Sequence, residues 1–148
     1  MQKVLHMISY EYSTDFKLSS EEGYTSWIKA VVELYNKEIG ELTYRYMSDS
    51  ELLEFNRQYL NHDTYTDIIS FDYSVGDIIS GDILISVDRV RENSVEFGSA
   101  FHVELLRVMS HGVLHYLGFK DKTDKEARTM REQEDIAIKL FNEFHVEQ

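Results

Sequence analysis

The most informative segment of this chain is HGVLHYLGFKD, which runs from residue 111 to residue 121. His111 and His115 are four residues apart, so on a helix both imidazoles project from the same face. Gly118 can adopt the left-handed conformation that ends a helix, and the chain after it can bring Asp121 back toward the histidines. Two imidazoles and a carboxylate with an open fourth position are typical of a catalytic divalent metal site. The segment therefore predicts one metal bound by His111, His115 and Asp121.

The histidine pair alone does not establish a metal site. Two histidines at this spacing also occur by chance, and a buried histidine is often only a hydrogen-bonded core residue. In the metalloprotease motif H-E-x-x-H a glutamate base follows the first histidine, whereas this chain has Gly112 there, which disfavours a metallopeptidase. A glycine inside a helix costs about 1 kcal/mol relative to alanine, so we expect a packing or substrate-access reason for Gly112.

The helix that contains the histidines is predicted to begin at Ser99 and to be buried, because apolar residues surround it on most sides. Glu104, Val108, His111 and His115 follow at steps of four, three and four residues, so they form one stripe. Glu104 is thus a candidate catalytic residue, or a partner that orients His111. It can equally be a first-turn carboxylate that the helix dipole stabilises.

Strand-like and helix-like segments alternate along the chain. Gly40 is expected to stop the first helix, and cap residues at Ser48–Glu51 and Thr123–Glu126 begin the second and the fifth. We predict an α+β fold formed by one domain over residues 1–148, with about four strands packed with about five helices, one of them buried and metal-bearing. The predicted strands are 3–12, 42–47, 67–73 and 81–87, and the predicted helices are 24–39, 48–61, 87–97, 99–117 and one from 123 onward.

Composition limits the functional classes. A chain of 148 residues with 43% hydrophobic and 28% charged residues is typical of one globular domain. Cysteine is absent, which excludes disulfides and thiolate metal clusters. The first residues contain too few consecutive apolar side chains for a signal peptide or a membrane span. We therefore expect a cytoplasmic protein with no membrane association.

The charge balance bears on nucleic-acid binding. A net charge of −12 and a pI near 4.8 normally speak against it, because such binding relies on cations that neutralise phosphates. Only the local field at the binding groove matters, however. The basic residues in segments expected to surround the site predict such a groove, although they could also be solvated helix faces. They are Arg57, Arg89, Arg91, Arg107, Lys120, Lys122, Lys125, Arg128 and Arg131.

The order of motifs resembles that of the bacterial YbeY family, the rRNA-maturation endoribonucleases. The family signature is similar to His111-Gly112-x-Leu114-His115-x-x-Gly118-Phe119. Further blocks follow in the family's order, and together they cover residues 41 to 135. These blocks are Leu53–Tyr59, Asp63, Thr66–Phe71, Gly81–Ser86, Glu104–Leu106, Met130 and Gln133–Glu134.

The resemblance implies a zincin-like arrangement of sheet and helices and a metal-dependent endoribonuclease specific for single-stranded RNA. It also implies a role in maturation of the 3′ end of 16S rRNA and in ribosome quality control. The implied partners are rRNA and the small ribosomal subunit, with a ribosomal protein or a GTPase as further candidates. The implied cofactor is one divalent metal per chain, with Zn²⁺ as the first choice and Mn²⁺ or Ni²⁺ as alternatives.

Two positions depart from the family pattern and bear on the chemistry. Asp121 stands where the family usually has a third histidine, and Leu60 stands where it has an arginine. Arg57, one helical turn before Leu60, is the candidate catalytic cation, with Lys120 and Lys122 as candidate RNA-binding residues. A metal-activated water and an attack by the 2′-hydroxyl both stay open as nucleophiles. The departures also keep a second function open, a non-catalytic ribosome-assembly factor with a structural metal.

Overall fold

A mixed four-stranded sheet and five α-helices form the part of the chain that the computed structural model describes, residues 6–144. This confirms the predicted α+β fold with one buried helix that contains the histidine pair. A short 3-10 turn, Asn142–Phe144, follows the last helix. The elements in chain order are β1 (Met7–Tyr12), α1 (Glu21–Glu33), β2 (Glu38–Met47), α2 (Asp49–Leu60), β3 (Ile68–Asp72), β4 (Ile78–Ser86), α3 (Val87–Glu96), α4 (Phe101–Tyr116) and α5 (Asp124–Phe141).

The strands are arranged in the order β1-β2-β4-β3. β1 and β4 both run parallel to β2, whereas β3 returns antiparallel along β4 as the outer strand of a hairpin. The residues just before and within β3 therefore lie at one edge of the sheet. None of the helices in residues 6–144 is long and apolar enough to span a membrane.

Helix α4 packs directly against the sheet, and Gly112 makes this close approach possible. A Cβ atom at Gly112 would lie 2.8 Å from Cδ1 of Ile83 on β4 and 3.1 Å from Cδ1 of Ile68 on β3. Two tyrosine hydroxyls fix the helix further: Tyr44 donates to the Met109 carbonyl at 2.9 Å, and Tyr116 donates to the Phe71 carbonyl at 2.9 Å. Gly112 thus allows α4 to pack closely on the sheet, and this close packing places the histidines near β3.

The predicted helix starts are confirmed at α2 and α5, where both capping boxes form. Ser48 accepts from the backbone N–H of Glu51, and Thr123 accepts from the backbone N–H of Glu126; each glutamate bonds back to the capping residue's N–H. Ser86 caps α3 by accepting from the backbone N–H of Arg89. Short-range polar signals are therefore sufficient to locate these boundaries.

The first helix ends earlier than predicted. The sequence pattern extends it to Ile39, but α1 stops at Glu33, and Asn36 takes a left-handed conformation with φ of 61°. Gly40 does not stop a helix. It lies within β2 at a register shift, where a Cβ atom would come within 2.5 Å of the Ser80 Oγ. Residues 3–5 of the first predicted strand lie outside the described residues.

Candidate metal centre

The end of helix α4 and the turn after it bring the three predicted ligands together. His111 and His115 lie on the last two turns of α4, and Gly118 follows with φ of 103°. The chain then reverses, and Asp121 Oδ2 comes to 3.3 Å from His111 Nε2 and 3.4 Å from His115 Nε2. The two Nε2 atoms are 3.0 Å apart. The local geometry inferred from the 111–121 segment is therefore present.

The spacing of these three atoms fits a metal ion. A tetrahedral Zn²⁺ site with ligand distances of about 2.0–2.1 Å separates its ligand atoms by about 3.3 Å. The three measured separations of 3.0, 3.3 and 3.4 Å bracket that value. Two imidazoles and one carboxylate also form a donor set that first-row divalent metals accept. Within residues 6–144 the group that could hold a metal is formed by His111, His115 and Asp121.

Glu134 on α5 orients the first histidine. Its Oε2 lies 2.6 Å from His111 Nδ1, and its Oε1 accepts from Arg107 Nη1 at 3.0 Å. A carboxylate on Nδ1 holds the proton there and leaves the Nε2 lone pair directed toward Asp121 and His115. Burial lowers the pKa of His111, but the hydrogen bond and charge of Glu134, with the charge of Asp121, outweigh it and raise the pKa overall. The buried Glu134 is 5% exposed, so water screens this interaction weakly.

Glu104, a candidate for the orienting partner of His111 on its helical spacing, has other contacts. Its Oε1 accepts from the Ser99 hydroxyl at 3.0 Å and lies 4.0 Å from Arg107 Nε. Glu104 does line the same cleft as the histidines, as the stripe on α4 predicted. The orienting role belongs to Glu134, which the sequence alone marks only as part of a family motif.

The three candidate ligands open into a cleft of about 490 Å³ between α3, α4, α5 and the edge strand β3. Asp67, the residue before β3, lines this cleft, and Asn93 Nδ2 of α3 lies 3.4 Å from its Oδ2. Burial raises the pKa of the Asp67 carboxyl above its ordinary value, although the charge of His111 opposes this rise. The sequence marks Asp67 only as part of the family block at residues 66–71.

The remaining predicted site residues lie around the cleft or away from it. Arg57 is not among the cleft-lining residues; its guanidinium is exposed and bonds to Glu54 and Asp63. Lys120 and Lys122 flank Asp121 in the sequence and are exposed, and neither is among the residues that line the cleft. The cations that do line the cleft are Arg107 and Arg131.

Comparison with known proteins identifies the family. The model of the family described as Endoribonuclease YbeY matches residues 5–142. The chain belongs to the YbeY family. The segment with the three candidate ligands, and Glu134 bonded to His111, thus lie within a match that covers nearly the whole chain.

YbeY relatives are similar over their full length. The protein named Endoribonuclease YbeY of Flavobacterium psychrophilum is 54% identical over 142 residues, which are 96% of this chain and 99% of that relative. The protein of the same name from Flavobacterium johnsoniae is 50% identical, over 96% of this chain and 100% of the relative.

A solved structure has a similar fold. The solution structure of TM1509 from Thermotoga maritima matches with a TM-score of 0.69 and 26% identity, covering 91% of this chain and 89% of that one. The similarity covers most of both chains, so the overall fold recurs outside the Flavobacterium relatives.

Proposed function

We propose that this protein is a metal-dependent endoribonuclease that cleaves single-stranded segments of ribosomal RNA. The observation that supports this most strongly is the convergence of His111, His115 and Asp121 on one point, at separations of 3.0–3.4 Å, inside an open cleft. Membership of a family named for endoribonuclease activity indicates the reaction class.

The three ligands would hold one divalent metal, and the donor set favours Zn²⁺, with Mn²⁺ or Ni²⁺ as alternatives. A bound metal would supply Lewis-acid polarisation of a phosphoryl oxygen in the cleft. Glu134 keeps His111 in the tautomer that presents Nε2 to the site, and Arg107 in turn holds Glu134. The half-exposed Asp121 leaves the site accessible from solvent, as an RNA substrate requires.

Two groups of the cleft suit the rest of the reaction. Asp67 is a partly buried carboxylate whose raised pKa fits it to exchange a proton at its Oδ atoms with a reacting oxygen. Arg131 is an exposed cation that lines the cleft and can stabilise the charge that develops on a phosphate. Arg57, Lys120 and Lys122 lie outside the lining, where they would contact the RNA backbone on either side of the scissile bond.

The physiological substrate we propose is the unpaired 3′ region of 16S rRNA, within the small ribosomal subunit in the cytoplasm. The net charge of −12 supports a partner that helps to hold the substrate, because long-range repulsion weakens the binding of free RNA without preventing it. A ribosomal protein or a GTPase could provide that contact, and ribosome quality control would use the same cleavage activity.

A second function is a non-catalytic ribosome-assembly factor in which the metal is structural. One observation favours it: Arg57, the candidate for the missing family arginine, is bonded to Glu54 and Asp63 at the surface, outside the cleft lining. An assembly factor would bind the small subunit without cleaving its RNA.

The deciding experiment is cleavage of an rRNA fragment that has an unpaired 3′ tail, with the Zn²⁺-loaded wild type and Asp121→Ala. Asp124→Ala removes an exposed carboxylate three residues away, in the first turn of α5, and is the matched control. We expect cleavage in the unpaired tail by the wild type and the control, and its loss in Asp121→Ala.

Three results would separate the alternatives. Equal cleavage by Asp121→Ala would contradict the ligand assignment. Absence of cleavage by folded, metal-loaded wild type, together with co-sedimentation with small subunits, would favour the assembly factor. Degradation of casein by the wild type would instead indicate a peptidase.

A further inference from the structure

The lining of the cleft is acidic, which limits how it can attract RNA. Arg107 and Arg131 are its cations, and Arg107 is already paired with Glu134 and with Asp135 of α5, at 3.0 and 2.9 Å. The four lining carboxylates outnumber the two guanidinium groups even before this pairing. They are Asp67, Glu104, Asp121 and Glu134. Apart from a bound metal and Arg131, the cleft therefore offers little to hold phosphates, and affinity for the rest of a nucleotide has to come largely from uncharged contacts.

Phe97 provides an aromatic surface in this cleft. It lies directly after α3, where Gly98 with φ of 66° turns the chain toward α4. Its side chain is 63% exposed although the residue lines the cleft with His111, His115 and Asp121. No ring of residues 6–144 is stacked on Phe97, unlike the aromatic residues of the fold core, so its face is available to solvent.

Asn93 lies one helical turn before Phe97 and lines the same wall. Its amide nitrogen is directed to Asp67 at 3.4 Å, which leaves the amide oxygen as a hydrogen-bond acceptor for a ligand. An aromatic face beside an amide is the combination that proteins use to stack an unpaired base and read its edge.

We propose that Phe97 is the stacking platform for one base of the RNA strand in the cleft, adjacent to the scissile phosphate, with Asn93 contacting the edge of that base. This inference rests on the proposed function. It explains preference for unpaired RNA, since a base within a duplex is stacked on its neighbours and cannot lie on Phe97. The stacking contact itself does not depend on phosphate neutralisation, so it can contribute affinity inside an acidic lining.

The test is an abasic scan of binding. A fluorescein-labelled RNA decamer with 2′-O-methyl groups is prepared intact and with one base removed at each position in turn, and its Kd for the Zn²⁺-loaded protein is measured by fluorescence anisotropy. We expect one position at which base removal weakens wild-type binding by about tenfold, the usual order for one aromatic–base contact. Phe97→Ala should bind the intact decamer about tenfold more weakly and lose its sensitivity at that position.

Two further variants separate stacking from a structural effect. Phe97→Tyr retains an aromatic face and should keep the wild-type profile. Val95→Ala is the matched control, because Val95 lies on α3 two residues before Phe97 and is 83% exposed, but lines a separate hollow with Arg91, Glu92 and Glu96. It should leave both affinity and profile unchanged.

The outcomes distinguish this inference from the proposed function. Cleavage of the unmodified decamer by the wild type, together with a Phe97→Ala variant whose affinity and abasic profile equal those of the wild type, would overturn the stacking inference alone. A wild type that neither binds nor cleaves RNA would overturn the proposed function and the inference with it.

Discussion

Glu134→Gln is the substitution that most directly tests how the fold positions the metal ligands. The carboxylate of Glu134 accepts two donors at once, His111 Nδ1–H at Oε2 and Arg107 Nη1 at Oε1. Glutamine has one oxygen and one amide group, so it can accept only one of these donors and presents N–H to the other. The buried site cannot be rehydrated easily, because residue 134 is only 5% exposed.

The expected effect on metal affinity follows from the loss of this contact. Substitution of the partner that orients a metal-binding histidine typically weakens metal binding about 10- to 100-fold, or about 1.4–2.7 kcal/mol. We expect a value within this range for Glu134→Gln, because the substitution removes the negative charge beside His111 but leaves all three ligands in place. Replacement of a ligand itself, as in His115→Ala, should cost more.

The assay is competition for Zn²⁺ between the protein and a chromophoric chelator, with metal content checked by elemental analysis. Glu132→Gln is the matched control, since this substitution removes the same charge two residues away, on the exposed face of α5. Equal zinc affinities for Glu134→Gln and Glu132→Gln would refute the reasoning. Such a result would mean that neither the charge nor the hydrogen bond of Glu134 contributes to the site.

Three further substitutions test the fold around the site. Gly112→Ala gains about 1 kcal/mol of helix propensity, but its Cβ overpacks against Ile83 at a cost of about 1–3 kcal/mol. Urea unfolding should therefore show that the unfolding free energy falls by about 1 kcal/mol, and by less in an Ile83→Val background. An equal fall in both backgrounds would argue against the contact. Burial lowers the pKa of His102, so its contribution to stability is present above pH 6.5 and is lost as pH falls toward the folded-state pKa. The decrease in unfolding free energy from pH 7 to pH 5.5 should therefore be smaller for His102→Gln, by up to about 1 kcal/mol, and an identical decrease would contradict this origin. Thr123→Ala removes the bond to the Glu126 N–H and should lower the unfolding free energy by about 1 kcal/mol, whereas Thr129→Ala, inside α5, tests whether loss of any threonine has the same effect.

The parts of the fold that depend on neighbours in sequence were predictable. The capping residues of α2 and α5, the turn at Gly118 and the shared face of His111 and His115 all follow from contacts within a few residues. The end of α1 could not be predicted in this way, because the apolar spacing continues through Leu34 and Tyr35 after the helix has stopped. Leu34 is 53% exposed, so its place in the pattern does not reflect burial.

The candidate site likewise has one part that follows from neighbours in sequence and one part that depends on packing between helices. The three ligands come from one continuous segment of eleven residues, and the sequence was sufficient to propose them. Glu134 is 23 residues from His111, and their contact exists only because α5 packs against α4. Periodicity on α4 could show that Glu104 faces the cleft but could not show that a carboxylate of another helix lies nearer to His111. The surface ion pairs that hold Arg57 depend on the loop around Asp63 and are likewise not visible in a spacing pattern.

The most direct test of the central claim is a titration of chelator-stripped wild type with Zn²⁺ while cleavage of the rRNA fragment is measured. If His111, His115 and Asp121 hold the one metal on which RNA cleavage depends, activity should rise linearly and reach its plateau at one equivalent of metal. Full cleavage by the stripped protein before any Zn²⁺ is added would contradict the account.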